Sequence, residues 1–252
     1  MMINCNTNFK YNQPSFTSRD LTIRRADDLA RRINQVFPRI SSTNFEDFKN
    51  VNNRPEAYNR LADLTAEMRD VVEESMDRCN SALPKIKAFT TQIAESHRGN
   101  CGESSDLALI AARINGIETA KKASVYKISD TITDDDIDFV KLKSLDHAVL
   151  RVKNGNKPYI IDAWLGFADY LQNAILRYRN EFGYHFDLNQ DAKEPIVIPS
   201  HDSSIELILN RIPIADLRKA FPELILPEKQ NSHNKSQNIF EKIKTHIINF
   251  FK

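Results

Sequence analysis

The spacing of apolar residues predicts a mainly helical first part of the chain. Apolar residues recur every three to four positions from Ser18 to Phe37, from Pro55 to Ser81 and from Ile86 to Ile93, which predicts three helices. We expect Pro38 to end the first helix and Pro84 to end the second. Residues 1–17 are polar and rich in asparagine, and we expect a flexible arm there.

A fourth helical pattern begins at a cysteine. After Asn100-Cys101-Gly102-Glu103, apolar residues continue at helical spacing to Ile114, and Asn115-Gly116 supplies a stop signal. Asn100 is a favourable N-cap residue, so Cys101 should lie at the start of the helix. Free amide groups and the helix dipole favour the thiolate at such a position, and the surrounding residues are polar. We therefore expect Cys101 to be reactive.

Beyond Gly116 the pattern changes to that of strands. Period-two and β-branched runs predict four strands, at Ala123–Ile128, His147–Lys153, Lys157–Trp164 and Glu194–Pro199. Asn154-Gly155 between the second and third runs is a strong hairpin signal. The segment from Gly166 to Tyr184 has helical spacing, and two short apolar segments follow at Ile205–Ile212 and Ile214–Phe221.

The register of this hairpin decides whether His147 and Asp162 lie together. With Asn154-Gly155 at the centre of the turn, the two side chains are directly opposite, but Pro158 then occupies a position where the ladder needs an amide donor. Moving the turn one residue later relieves the proline and leaves the pair as diagonal neighbours on one face. Only a three-residue loop would separate them onto opposite faces.

Composition changes this picture little. Of the 252 residues 41% are hydrophobic, and Lys+Arg 35 against Asp+Glu 34 gives a net charge of +1, which does not favour a nucleic-acid partner. Cys5, Cys79 and Cys101 are too few for a disulfide framework or a cysteine-rich zinc site, so we expect no metal, no cofactor and a reducing compartment. We find no Sec-type signal peptide and no bilayer-spanning apolar run, and we expect a soluble protein.

Three motifs in this order resemble the transglutaminase-like branch of the papain-like cysteine superfamily. They are Asn100-Cys101-Gly102-Glu103 at a helix start, Asp146-His147-Ala148-Val149-Leu150 on a strand and Ile161-Asp162-Ala163-Trp164 on the next strand. The resemblance covers about residues 90–170. It implies an α+β fold whose cysteine-bearing helix packs on an antiparallel sheet that carries His147 and Asp162. We expect this core to span residues 94–227. A helical N-terminal segment at 18–93 should precede it, and a linker with an amphipathic helix at 228–252 should follow it.

The resemblance also implies a chemistry. Cys101 would be the nucleophile, His147 the general base and Asp162 the carboxylate that orients the imidazole. Enzymes of this superfamily transfer acyl groups from protein amides through a thioester, as glutamine deamidases, transglutaminases or cysteine proteases.

The residues that would stabilise an oxyanion are less clearly matched. The peptidases of the superfamily carry a glutamine six residues before the cysteine, where this chain has Glu95, and Gln92 lies three residues too early. Gln92, Asn100 and Trp164 are the candidates for the oxyanion site or the site wall. The departure at Glu95 favours glutamine chemistry over proteolysis.

The superfamily includes bacterial effector domains that enter host cells, and the helical N-terminal segment and the basic tail resemble such an effector. That implies virulence-related delivery by a specialised secretion system into a host cytoplasm. In residues 239–252, apolar positions at helical spacing alternate with lysines, which suits a membrane surface, a partner, or packing on the protein itself. The alternative to an enzyme is a non-catalytic binding module that docks through this tail. The intact set of Cys101, His147 and Asp162 favours the enzyme.

Overall fold

The computed structural model describes residues 21–38, 55–117, 119–128, 142–180, 196–199 and 204–227. The arm predicted at 1–17 and the tail predicted at 228–252 lie outside these residues. The described part of the chain has a mixed α+β architecture with an antiparallel sheet, which confirms the predicted fold class at this level.

Helices and strands occupy largely separate stretches of the chain. Among the described residues the first elements are the helices α1 (Leu21–Val36), α2 (Pro55–Asp77), α3 (Ala82–Ser96) and α4 (Cys101–Ile114). The strands are β1 (Ala120–Ile128), β2 (Leu142–Val152), β3 (Tyr159–Asp162), β4 (Phe167–Tyr170) and β5 (Ile196–Pro199). Helix α5 (Leu171–Asn180) follows β4, and α6 (Ser204–Leu209), α7 (Ile214–Ala220) and a 3₁₀ turn (Pro222–Leu224) follow β5.

Two predicted boundaries are wrong. Pro84 lies in the first turn of α3 rather than ending α2, because amides in a first helical turn have no intrahelical partner and a proline there loses nothing. The segment after Gly166 is not one helix, since Phe167–Tyr170 pairs with β3 before α5 begins. Strand pairing there overrides the helical spacing of the apolar residues.

The sheet has the order β4-β3-β2-β1-β5 among the described residues, and every neighbouring pair is antiparallel. The β2–β3 hairpin lies inside this order. Val152 pairs with Tyr159 and Leu150 with Ile161, which is the register with the turn centred on Gly155-Asn156. The Lys157 amide donates to the Asn154 carbonyl at 2.9 Å, and Gly155 has the left-handed φ of 51° that such a turn requires.

Two apolar clusters cover the sheet. The larger cluster joins α1, α3 and α4 to alternate sheet residues such as Leu150 and Ile161. The smaller cluster contains the intervening positions Val149 and Ile160 together with Tyr178 of α5. Because side chains alternate along a strand, His147 and Asp162 share the face of this smaller cluster. The larger cluster contains α1 and α3 from the predicted segment 18–93 and α4 from the predicted segment 94–227, so the two segments share one apolar core.

A buried carboxylate attaches α1 to the sheet. Asp27 is 6% exposed, and its Oδ1 accepts a hydrogen bond from the Ala168 amide of β4 at 3.1 Å. Arg31 binds the other oxygen at 2.7 Å. In the sheet order β4 is an edge strand, so α1 supplies an acceptor to an edge amide that has no strand partner on that side.

None of the helices in the ranges described above combines the length and apolar character that crossing a membrane requires.

Candidate active site

Cys101 is the first residue of α4 and is half-buried. The helix begins with a capping box: the Asn100 side chain accepts from the Glu103 amide, and the Glu103 Oε2 accepts from the Asn100 amide at 2.8 Å. The Ser104 amide donates to the Asn100 carbonyl at 3.0 Å, which closes the first helical turn. The box fixes the peptide groups on both sides of the thiol. The sequence predicts the N-cap role of Asn100, whereas the reciprocal bond of Glu103 was not predicted.

His147 and Asp162 form a buried pair. The His147 Nε2 and the Asp162 Oδ2 are 2.6 Å apart, and the two residues are 3% and 0% exposed. In the observed register they are diagonal neighbours on adjacent strands, as one of the two predicted registers requires. A contact this short between a ring nitrogen and a carboxylate oxygen is a charge-assisted hydrogen bond.

Asp162 has two further donors. The Tyr178 hydroxyl donates to Oδ2 at 2.9 Å, and the Leu165 amide donates to Oδ1 at 2.9 Å. Because the carboxylate accepts from all its neighbours, the Nε2 of His147 must carry the hydrogen that it shares with Oδ2. The Nδ1 of His147 is then the ring nitrogen that remains for another partner.

That partner is Cys101. Cys101 acts on the imidazole through its charge and a hydrogen bond. Because Nε2 is occupied by Asp162, we assign this contact to Nδ1. Burial by itself lowers the pKa of His147, but the charge and hydrogen bond of Asp162, with a smaller contribution from Cys101, raise this pKa to about 10. The imidazole is therefore protonated at neutral pH and places a positive charge against the cysteine sulfur. The structure thus places His147 against Asp162, and Cys101 influences the imidazole of this pair.

Aromatic rings enclose the imidazole on two sides. The ring centroid of His147 lies 5.2 Å from that of Trp164, tilted by 57°, and 5.7 Å from that of Tyr178 in an edge-on arrangement. Trp164 is half-buried, whereas Tyr178 is fully buried. The rings replace water around the His147–Asp162 pair and strengthen its electrostatic attraction.

Of the three remaining sequence candidates, only Trp164 packs on the His147–Asp162 pair. Gln92 is a half-buried residue of α3, and no hydrogen bond found among the described residues joins it to Cys101, His147 or Asp162. The Asn100 side chain is engaged in the capping box. Trp164 is the one of the three that contacts the imidazole.

Sequence reasoning missed Tyr178. It was visible only as one apolar position in a helical pattern, and its hydroxyl reaches Asp162 because α5 packs on the β3 face. Burial raises the pKa of Tyr178 well above 10, and the neighbouring charge of Asp162 raises it further, so the phenol remains a donor. A fully buried tyrosine needs a hydrogen-bond partner, which is the signal that could have pointed to this contact.

Charged residues surround the cysteine end of the site. Arg69 of α2 binds both oxygens of Glu103, with Nε to Oε1 at 2.7 Å and Nη2 to Oε2 at 3.2 Å. One turn further along α4, the Lys122 Nζ contacts the Asp106 Oδ2 at 3.0 Å. These contacts were not predicted, because they join elements far apart in the chain.

Within the ranges that the structure describes, no group of three or more His, Cys, Asp or Glu side chains is arranged to hold a metal ion. No protein-family model matches the sequence, and comparisons with curated proteins and with solved structures found no match.

Proposed function

We propose that this protein is a cysteine-dependent acyl-transfer enzyme that acts on protein amides through a thioester. The observation that carries the proposal is the buried His147–Asp162 pair, 2.6 Å between Nε2 and Oδ2, with the other side of the imidazole hydrogen-bonded to Cys101. A thiol, a base and an orienting carboxylate in this order form the constellation of cysteine acyl transfer.

In the first half of the reaction, the Cys101 sulfur attacks the amide carbonyl carbon as a thiolate. A carbon–sulfur bond forms, and the carbonyl oxygen becomes an oxyanion near the amide groups at the start of α4. The protonated His147 then gives its Nδ1 proton to the amide nitrogen. The carbon–nitrogen bond breaks, ammonia or an amine leaves, and the acyl group remains on sulfur as a thioester.

In the second half, the neutral imidazole takes a proton from an incoming water or amine. The nucleophile attacks the thioester, the carbon–sulfur bond breaks, and Cys101 leaves as a thiolate beside the reprotonated His147. Asp162 holds the ring in one tautomer throughout. Water yields a carboxylic acid, whereas a lysine amine yields an amide cross-link.

A glutamine side chain is the substrate class that we favour, so that the reaction is deamidation or transamidation rather than proteolysis. The support is that Glu95 stands where peptidases of the resembling superfamily have glutamine and that Gln92 makes no hydrogen bond to the site in the described structure. The further proposal that the enzyme is a secreted effector acting on host proteins rests on resemblance alone. Membrane or partner contact through residues 239–252 is proposed from the helical spacing of apolar residues among lysines.

The first test is the pH dependence of Cys101 alkylation by iodoacetamide, followed by mass spectrometry of the peptide that contains it. We expect reaction well below pH 8.5, the value of a free thiol, and loss of this low-pH reactivity in His147→Ala. His97→Ala is the matched control, because His97 is exposed and its Nδ1 lies 3.3 Å from the Pro38 carbonyl. Cys101→Ala provides the blank.

If Cys101 reacts in this way, release of ammonia from glutamine-containing proteins is measured next, with peptide-bond cleavage as the competing readout. Cys101 that titrates like a free thiol, or is equally reactive in His147→Ala, would contradict the proposed enzyme.

A further inference from the structure

Both carboxylates near the start of α4 are paired with basic side chains from other elements. Glu103 is held by Arg69 of α2, and Asp106 by Lys122 of β1. Lys122 also lies 3.4 Å from the Gly102 carbonyl. The charge of each acidic residue of α4 is therefore balanced by a basic side chain from another element.

Glu103 has a structural task that does not need a charge. As the third residue of α4, it accepts the Asn100 amide and completes the capping box, and glutamine can fill that position as well as glutamate. Its negative charge, however, lies within one helical turn of Cys101. A nearby anion disfavours a thiolate, so an unpaired Glu103 would oppose the helix dipole that supports the nucleophile.

Arg69 removes this conflict by its geometry. Its planar guanidinium binds both oxygens of Glu103, which is 9% exposed, and thus lies against the charge itself. Burial works to raise the pKa of Glu103, but the hydrogen bond and charge of Arg69 outweigh it and lower this pKa. The carboxylate is therefore fully ionised at neutral pH, and its field on Cys101 depends on whether Arg69 is present.

We propose that Arg69 is a positioning residue that cancels the charge of Glu103 beside Cys101 and so makes α2 part of the catalytic apparatus. The inference rests on the proposed function, since it requires that Cys101 react as a thiolate. Other charged or titratable groups around the start of α4 are His147 and Asp162 of the sheet, Tyr178 of α5, and the Lys122–Asp106 pair. None of them contacts Arg69 or Glu103 in the hydrogen bonds and ion pairs given above.

The test is a double-mutant cycle on the midpoint pH of Cys101 alkylation. Arg69→Gln exposes the carboxylate and should raise the midpoint by about half to one pH unit. Glu103→Gln keeps the capping box but leaves a positive charge, and should lower the midpoint. The combination Arg69→Gln with Glu103→Gln removes both charges and should return the midpoint to within about 0.2 units of wild type.

Arg78→Gln is the matched control. It removes the same charge next to the end of α2, where Arg78 pairs with the exposed Glu74 at 3.0 Å, and should leave the midpoint unchanged. Circular dichroism confirms that each variant is folded. If Arg69→Gln does not fold, Arg69→Lys, which keeps the charge, and the doubly substituted chain carry the test.

An equal midpoint in wild type, Arg69→Gln and Glu103→Gln would overturn this inference while leaving the proposed enzyme intact. The inference would also be overturned if Arg78→Gln shifted the midpoint pH of Cys101 alkylation as much as Arg69→Gln does. A wild-type midpoint near 8.5 would instead contradict the proposed function itself.

Discussion

The two halves of the candidate site are built in contrasting ways. The His147–Asp162 half is dry and compact, with both residues almost fully buried and enclosed by Trp164 and Tyr178. The Cys101 half is charged and partly open, and Arg69, which secures it, has a side chain that is 52% exposed. Water can replace a lost contact in the open half but not in the dry half. Substitutions should therefore have larger effects around the imidazole than around the cap.

The largest effect should come from Asp162→Asn. The amide has one oxygen, whereas the carboxylate accepts from Leu165 on one side and from His147 and Tyr178 on the other. In Asp162→Asn, the NH₂ group must therefore face either the Leu165 amide or the donors His147 and Tyr178, and an NH₂ group cannot accept a hydrogen bond. We expect turnover to fall on the order of 10³- to 10⁴-fold, and Cys101 alkylation at pH 7 to fall at least about tenfold.

The control for this substitution is Asp169→Asn, because Asp169 is a half-buried acid of the neighbouring strand that bonds Asn173 and the Tyr170 amide. Full activity in Asp162→Asn would show that the dry half does not orient the imidazole.

The second effect concerns stability against pH. The pKa of His147 is raised from 6.5 to about 10, so the folded state binds a proton more tightly than the unfolded state. Its stabilising contribution, on the order of a few kcal/mol, should be fully present below pH 6.5 and disappear as the pH rises to about 10. Urea unfolding of wild type and His147→Gln at several pH values measures the difference. A stability gap that widens with rising pH would have the wrong sign.

A smaller effect is expected from Tyr178→Phe, which deletes only the hydroxyl that donates to Asp162 at 2.9 Å. We expect a loss of about 1–2 kcal/mol in the free energy of unfolding, and a fall in kcat of about tenfold with little change in KM. Tyr159→Phe is the matched control, since Tyr159 packs in the larger apolar cluster on the other face of the sheet. Equal effects of the two substitutions would assign Tyr178 to packing alone.

The smallest effect belongs to the open half. Asn100→Ala removes the side-chain acceptor of the capping box and should lower the free energy of unfolding by about 1 kcal/mol. Asn100→Asp keeps an acceptor and should retain most of this stability. Thermal unfolding of the two variants makes the comparison. A loss in Asn100→Ala as large as that in Asp162→Asn would remove the contrast between the halves.

The same contrast separates what the sequence could predict from what it could not. The hairpin could be predicted from Asn154-Gly155, and the register observed is one of the two that keep His147 and Asp162 on one face, the one that relieves Pro158. The start of α4 at Cys101, with Asn100 as its N-cap, could be predicted as well. These features are local, and local chemistry determines them.

The contacts of Tyr178 and Arg69 could not be predicted, because they depend on how helices pack against the rest of the fold. For a similar reason the sequence predicts helix where strand β4 lies: pairing with β3 is tertiary, and it outweighs the helical spacing of the apolar residues. The join between Cys101 and the hairpin is also tertiary. From the sequence, the contact of Cys101 with the hairpin is expected only because the order of the three motifs resembles that of transglutaminase-like enzymes.

The attachment of α1 to β4 bears on the order in which the molecule assembles during folding. His147 and Asp162 are separated by 15 residues, so the loop that joins them closes readily. Asp27 and Ala168 are separated by 141 residues, and Arg32 donates to the Glu223 carbonyl across 191. We expect the hairpin to form early and the first helix to lock it late, so that during folding the edge of β4 stays uncovered until α1 docks.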